Sequence, residues 1–477
     1  MKRTSQLCRV LLGAIALGGG MFAQSGLAGA AEALPSQTLF TNVNVFNGKD
    51  NKLYRDHNVL VEGNLIKAVS ASSIEANASA AVIDGDGRTL MPGLIDAHIH
   101  LNLQLLENPA AIDGVNNMTW EEVGAMAYET AQEYLYSGFT TVRDLCGSHD
   151  GLRRRIEDGT LTGPRIYLSG ACISQTSGHG DWRPPSGVIR KNGNESSHVE
   201  DLGIVILADG ADEVLGACRN NLAGGADFCK MMAGGGVTSQ RDPLHSFQGT
   251  AEELRAMVTA TDQWDTVGAV HAYHDGSVVN ALEAGVRSIE HGNLMKDPKT
   301  FALVKKKDAW VVPAMAGFSP QLLDHPVYGN PKLPLAAKVR QVAENFETWV
   351  ELANSSGINL GYGTDVVVSN KLASRSLRDF QMGMFAQAFG NHRTLKAMTS
   401  DNGRLMALTG LNNPYPAKLG VIEEGAYADL ILVDGNPLED LSVLGAVDDM
   451  FASPRKDRTI PTIPLVMKDG TVYKNTL

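Results

Sequence analysis

Short apolar segments recur between helical stretches through the middle of the chain: Thr140-Thr-Val-Arg, Arg165-Ile-Tyr-Leu, Phe228-Cys-Lys-Met-Met, Gly268-Ala-Val-His, Arg287-Ser-Ile-Glu-His, Trp310-Val-Val-Pro and Ile358-Asn-Leu-Gly-Tyr. Apolar runs this short, alternating with helices, suit the buried strands of a parallel sheet. With the strand ending at Asp96-Ala-His98 they make about eight β/α units, the count that a (β/α)8 TIM barrel requires. The 477 residues leave room for such a barrel of about 250 residues or more, plus a smaller domain. In a barrel, the groups that do chemistry are expected where the strands end.

The two ends of the chain have a different texture. Leu39-Phe-Thr-Asn-Val-Asn-Val-Phe and Asn58-Val-Leu-Val-Glu-Gly-Asn-Leu-Ile alternate apolar and polar residues, with turn residues between them, as hairpin strands do. The pattern returns in Tyr427-Ala-Asp-Leu-Ile-Leu-Val-Asp and Ile463-Pro-Leu-Val-Met-Lys-Asp-Gly-Thr-Val-Tyr. The expected fold is therefore α/β: a barrel over 93–415 and a small β-sandwich assembled from segments 31–92 and 416–477. No solenoid period or low-complexity block interrupts it.

Residues 1–30 read as a secretory signal. Lys2 and Arg3 precede the apolar run from Leu11 to Phe22, and the small residues of Leu27-Ala-Gly-Ala-Ala31 offer cleavage positions. The run is broken by Gly18-Gly19-Gly20 and is shorter than the roughly 20 residues that span a bilayer. The mature protein is thus expected to be secreted or periplasmic, with no membrane attachment. A formal net charge of −12 argues against capture of nucleic acid or an anionic lipid surface and in favour of a small-molecule or peptide substrate. Beyond the leader's Cys8, Cys146, Cys172, Cys218 and Cys229 show no CxxC spacing and read as buried hydrophobes or one disulfide, not as metal ligands.

Histidines at i and i+2 of a strand face the same way, so His98 and His100 can hold one ion. An isolated His-x-His also suits two ordinary strand-end histidines. Here His271 and His291 end two further strands and Asp365 follows another, so borderline and hard ligands converge on the barrel rim.

These motifs carry a resemblance. Met91-Pro-Gly-Leu-Ile-Asp-Ala-His-Ile-His100 resembles the opening signature of the amidohydrolase superfamily, and Leu419-Gly-Val-Ile-Glu-Glu-Gly-Ala-Tyr-Ala-Asp-Leu-Ile-Leu-Val-Asp434 resembles its returning β segment. Within the superfamily, Phe228-Cys-Lys-Met-Met-Ala-Gly-Gly-Gly-Val, Val270-His-Ala-Tyr and Ser177-Gly-His-Gly-Asp181 are similar to the Xaa-Pro dipeptidases (prolidase-like) and the ochratoxin-degrading amidohydrolases. The match runs from about residue 38 to the end.

The resemblance implies two divalent metal ions, zinc favoured: His98, His100 and Asp365 on the first, His271 and His291 on the second, and Lys230 bridging both as a carbamate. An ammonium could not bridge, because it has no lone pair and would be repelled by the ions. It further implies attack by a bridging hydroxide on a carbonyl, with Asp365 taking the proton and passing it to the leaving amine. His179 and Tyr273 match contacts to a substrate carboxylate, while Arg241, Asp242 and His274 are pocket-lining candidates.

The implied substrate carries a C-terminal carboxylate beside the scissile amide: a dipeptide, an N-acylated amino acid, or ochratoxin A, split into its isocoumarin acid and phenylalanine. An esterase or lactonase is the alternative, since the same chemistry opens esters. Mononuclear deaminases would lack Lys230 and carry His-x-x-Glu where this chain has His271-Ala-Tyr-His274, and a non-enzymatic relative would have lost ligands. A homo-oligomer is implied by the resemblance alone.

Overall fold

In the computed structural model, which describes residues 36–103, 115–147, 149–183, 196–239, 242–368 and 371–477, the N-terminal alternation becomes five strands. They are β1 (Gln37–Val45), β2 (Tyr54–Glu62), β3 (Leu65–Ser70), β4 (Ala81–Asp84) and β5 (Thr89–Pro92). β2 pairs antiparallel with both β1 and β3, whereas β4 and β5 lie parallel to β1.

The central segments follow as β6 (Leu94–Ile99), β7 (Phe139–Asp144), β8 (Arg165–Leu168), β9 (Cys172–Ser174), β10 (Val205–Leu207), β11 (Cys229–Met232), β12 (Gly268–His274), β13 (Ser288–Leu294), β14 (Trp310–Val312) and β15 (Asn359–Leu360). All their pairings are parallel: β6-β7-β8 form one sheet and β10-β9-β11-β12-β13-β14-β15 another. Backbone hydrogen bonds link the two sheets at both gaps. Asp227 N–H donates to Leu168 O beside β8, and Ala97 N–H of β6 donates to Tyr362 O just past β15. The pairing thus runs from the last strand back to the first.

Successive strand residues feed two cores, as the strand period of two demands. Val142, Ile166, Val270, Ile289 and Val311 pack outward against helix residues such as Leu135, Leu254 and Leu282. Ile95, Ala97, Tyr167, Phe228, Ala269 and Val312 form a separate cluster on the other side. Helices fill the connections, several opened by side-chain caps: Thr119 before Trp120–Tyr136 and Thr250 before Ala251–Asp262 each form a capping box, and Asp297 caps Pro298–Lys306.

The chain then returns as β16 (Leu430–Val433), β17 (Leu465–Lys468) and β18 (Thr471–Asn475). β16 pairs with β5, so both ends of the chain share one eight-stranded sheet, in the order β18-β17-β16-β5-β1-β2-β3 with β4 beside β1. Ile66 N–H of β3 donates to Ala426 O just ahead of β16, curling the sheet around a core that includes Phe40, Val59, Ile66, Leu430 and Met467. Residues Ser36–Leu477 make one compact unit, and the expected leader lies outside the described residues. No helix among the described residues is long and apolar enough to cross a membrane.

Two features depart from expectation. The strands β9 and β10 are additional, three residues each, and extend the second sheet at one edge. The cysteines form two disulfides, Cys146–Cys172 and Cys218–Cys229, correcting the reading of buried hydrophobes or a single bridge. Neither pair shows in the spacing because each joins segments brought together by the parallel sheet or its covering helix.

Candidate metal centre

Strands β6, β11, β12 and β13 and the segment after β15 bring together the side chains that the sequence singles out; Lys230, His271 and His291 lie within their strands, not at the ends as expected. His98, His100, Lys230, His271 and His291 are buried, and Asp365 is partly so. The ligand atoms of His98, His100 and Asp365 all lie within 4.8 Å of one another, close enough for one ion to be shared. Asp365 Oδ1 is 3.0 Å from His100 Nε2 and 3.3 Å from His98 Nε2, and Asp365 Oδ2 is 4.0 Å from His291 Nε2. The His291 ring sits 4.5 Å from that of His271 and 4.9 Å from that of His98, centroid to centroid. Lys230, 1% exposed, lines the same cavity.

Two of these side chains sit on uncommon backbone. His291 (φ 75°) and Asp365 (φ 50°) adopt the left-handed region, which costs free energy for residues other than glycine and clusters at functional sites. The surroundings hold them there. Asn402 accepts from Tyr362 N–H and donates to Ile95 O and Tyr362 O, tying β6 to the Asp365 segment. Asp96 Oδ1 accepts from the backbone N–H of both His98 and Thr364. Gly363 passes so near His98 that a Cβ would lie 2.5 Å from the His98 Cβ, so only glycine fits.

Electrostatics give the donors the protonation that metal binding needs. Burial drives the His271 and His291 imidazoles well below their usual range, with Lys230 adding to the effect in both. Burial would raise the Asp365 carboxyl, but His98, His100 and His291 outweigh it and keep it well below the usual carboxylate range. Burial also brings the Lys230 amine down to about 8, against the pull of Glu290 and Asp365. The donor set therefore fits divalent metal.

Beneath the ligands lies an ion pair absent from the sequence reading. Arg143 of β7 donates from Nη2 to Glu290 Oε1 (2.7 Å), from Nη1 to Ser288 Oγ (3.1 Å) and from Nε to Ala97 O (2.7 Å). Glu290 Oε2 is 3.0 Å from His98 Nδ1, which leaves His98 Nε2 toward Asp365. Such outer carboxylates orient metal-binding histidines. The trace of this pair in the sequence is an arginine in Phe139–Asp144 and a glutamate in Ser288–Leu294, strands that are otherwise buried almost throughout. Breaking a buried pair strands the remaining charge, so Glu290→Gln is expected to cost about 3 kcal/mol of stability and about tenfold in activity. Urea unfolding and steady-state kinetics check this; unchanged stability would contradict it.

Of the expected substrate contacts, His179 and Tyr273 line the cavity. His179 stacks on His271 (centroids 4.1 Å, 23° between planes) and Tyr273 stacks on His291 (4.9 Å, 6°). His274 does not join them. As the N-cap of helix Asp275–Ala284 it accepts from Ser277 N–H through Nδ1, and its ring packs edge-on against Phe247 in a separate surface cleft. A strand alternates its sides, so His274 cannot follow Tyr273 into the cavity. Arg241 lies outside the described residues, while Asp242 is buried behind His179. The remaining wall is apolar, formed by residues such as Trp182, Met232, Leu322, Tyr328 and Val339.

The profile of the amidohydrolase family matches residues 89–473. Ochratoxinase from Aspergillus niger is 29% identical over 392 residues, covering 81% of this chain and 75% of that protein. A crystal structure of an amidohydrolase has a TM-score of 0.79 at 31% identity, covering 93% of this chain and 100% of the other. A prolidase solved with N-methylphosphonate-L-proline has a TM-score of 0.77 at 30% identity, covering 92% and 100%.

Proposed function

The chain belongs to the amidohydrolase family, and from that premise we propose that it hydrolyses an amide bond beside a C-terminal carboxylate, with ochratoxin A among its substrates. The fold is read as a (β/α)8 barrel over 93–415 with a small β-sandwich from 31–92 and 416–477. The leader over 1–30 directs the protein to a secreted or periplasmic location.

The observation that carries the reading is Lys230. It is a lysine buried on a central strand, and no hydrogen bond or ion pair to its amine is found among the described residues. Five histidines and an aspartate line the same cavity. In carboxylated form it would bridge two ions, His98, His100 and Asp365 holding one, and His271 and His291 the other. Bound divalent metal, zinc in this reading, would supply Lewis acidity, polarising a carbonyl and acidifying water toward neutral pH.

The protein's own groups do the rest. Asp365, kept ionised by its neighbours, takes a proton from the attacking water and delivers it to the departing amine. His179 and Tyr273, packed on the ligand rings, receive the substrate's carboxylate. The apolar wall suits an apolar side chain beside the scissile bond. The similarity to an ochratoxinase and to a prolidase supports both the amide and its neighbouring carboxylate.

The test is a substrate panel on the purified enzyme: ochratoxin A, N-acyl amino acids, dipeptides including Xaa-Pro, and matched esters and lactones. The expected result is release of phenylalanine from ochratoxin A and of C-terminal residues from the N-acyl series. Cleavage confined to esters or lactones would overturn the assignment.

A further inference from the structure

Lys338 lies on the helix Pro334–Glu344, yet its ammonium is bound to a loop about a hundred residues earlier. It donates to the backbone carbonyls of Gly236 (2.8 Å), Ser239 (2.7 Å) and Asp242 (2.7 Å). An ammonium has three donors and no acceptor, so this contact saturates it. Three carbonyl dipoles aimed at one point repel one another unless a compact cation lies between them. The neighbouring residue on the helix, Val339, lines the cavity, so one turn of helix both walls the site and tethers the loop.

That loop in turn grips His179. Ser239 Oγ donates to Gly236 O (3.1 Å) and therefore offers a lone pair to His179 Nδ1, 2.8 Å away. Asp242 Oδ2 accepts from Gly236 N–H (2.7 Å) and lies 3.4 Å from the same nitrogen. Gln248 completes the enclosure, accepting from His179 N–H (2.7 Å) and donating to Asp242 (3.3 Å). The ring passes so close to Gly236 that a Cβ there would lie 1.9 Å from His179 Cε1. With Nδ1 donating to the loop, Nε2 is the nitrogen left for the cavity, and it can donate to a carboxylate when the ring carries a proton on both nitrogens. Residue types alone could not reveal this, because all four bonds that Lys338 and Ser239 direct into the loop end on backbone carbonyls, and Lys338 lies 96 to 102 positions from the residues it holds.

We propose that Lys338 is a positioning residue: through the Gly236, Ser239 and Asp242 backbone it fixes the His179 ring, and so sets the preference for substrates that end in a free carboxylate over the same substrates capped as carboxamides. This rests on the reading of His179 as a carboxylate contact. A misplaced hydrogen bond to a charged group weakens selectivity by roughly tenfold.

The experiment measures kcat/KM of the metal-loaded enzyme on an N-acyl-phenylalanine and on its carboxamide, for wild type, Lys338→Met, Ser239→Ala, His179→Ala and the Lys338→Met/His179→Ala pair, with metal content assayed on each. Methionine keeps the apolar stem and removes the ammonium. For Lys338→Met and Ser239→Ala the expected result is a loss of about tenfold on the free acid, little change on the carboxamide and unchanged metal content; His179→Ala loses the preference for the free acid, and adding Lys338→Met to it lowers that preference no further. Ser239→Ala leaves the tether intact and carries the test if Lys338→Met does not fold. Equal losses on both substrates, additive losses in the pair, or no loss overturn the proposal. If His179→Ala loses the selectivity and Lys338→Met keeps it, only the positioning role falls; if His179→Ala itself keeps it, the reading of His179 falls and takes the proposal with it.

Discussion

Lys230→Ala is expected to lower kcat/KM by on the order of a thousandfold or more, because it removes a group that acts on the reacting centre. Millimolar acetate or propionate should restore part of the activity by supplying the missing carboxylate. The physical basis lies in what surrounds the amine. It is fully enclosed on β11, and its charged form is opposed by desolvation. Amine basicity near 8 leaves a share of neutral nucleophile for carboxylation, which converts a cation into an anion with two oxygen donors. Removing an amine that makes no hydrogen bond among the described residues should not unfold the chain, so the loss reports chemistry and not stability. Kinetics of the variant across a series of carboxylic acids checks this. Undiminished activity, or an inactive variant that no acid rescues at any concentration, would contradict the bridging role.

Asp365→Asn should lose about a thousandfold in kcat, the range for removing a general base, with a smaller change in KM. The substitution is conservative where it matters structurally. Asparagine tolerates the left-handed backbone that Asp365 occupies, and its carbonyl oxygen can still face His98 and His100. What it cannot do is accept a proton. A variant that keeps its fold and its KM but loses turnover would identify Asp365 as the proton acceptor, whereas a retained kcat would remove it from that role.

The parts of this site legible in the sequence are those that local rules govern. The eight buried strands are readable from apolar runs, and His98 and His100 announce themselves at the end of β6; His271 and His291, expected at strand ends, lie midway along β12 and β13. Asp365 was legible from its place after a strand, and Lys230 through the resemblance of its motif. What escaped depends on contacts between distant segments. Arg143 and Glu290 meet across 147 positions of sequence, and Lys338 reaches a loop 96 to 102 positions away. The disulfides join cysteines with no diagnostic spacing, and the three-residue strands β9 and β10 are too short to show a period. His274 failed for the opposite reason. It follows Tyr273 directly in sequence, but strand alternation and the start of the next helix turn it away from the cavity.

The central claim is a two-ion centre bridged by Lys230, and the most direct measurement is metal content per chain on the active, purified protein, by plasma mass spectrometry alongside turnover of ochratoxin A. Two divalent ions per chain in the wild type, falling to one or none with activity in Lys230→Ala, is the result expected. A fully active wild type holding a single ion, or Lys230→Ala retaining both ions and full turnover, would contradict it.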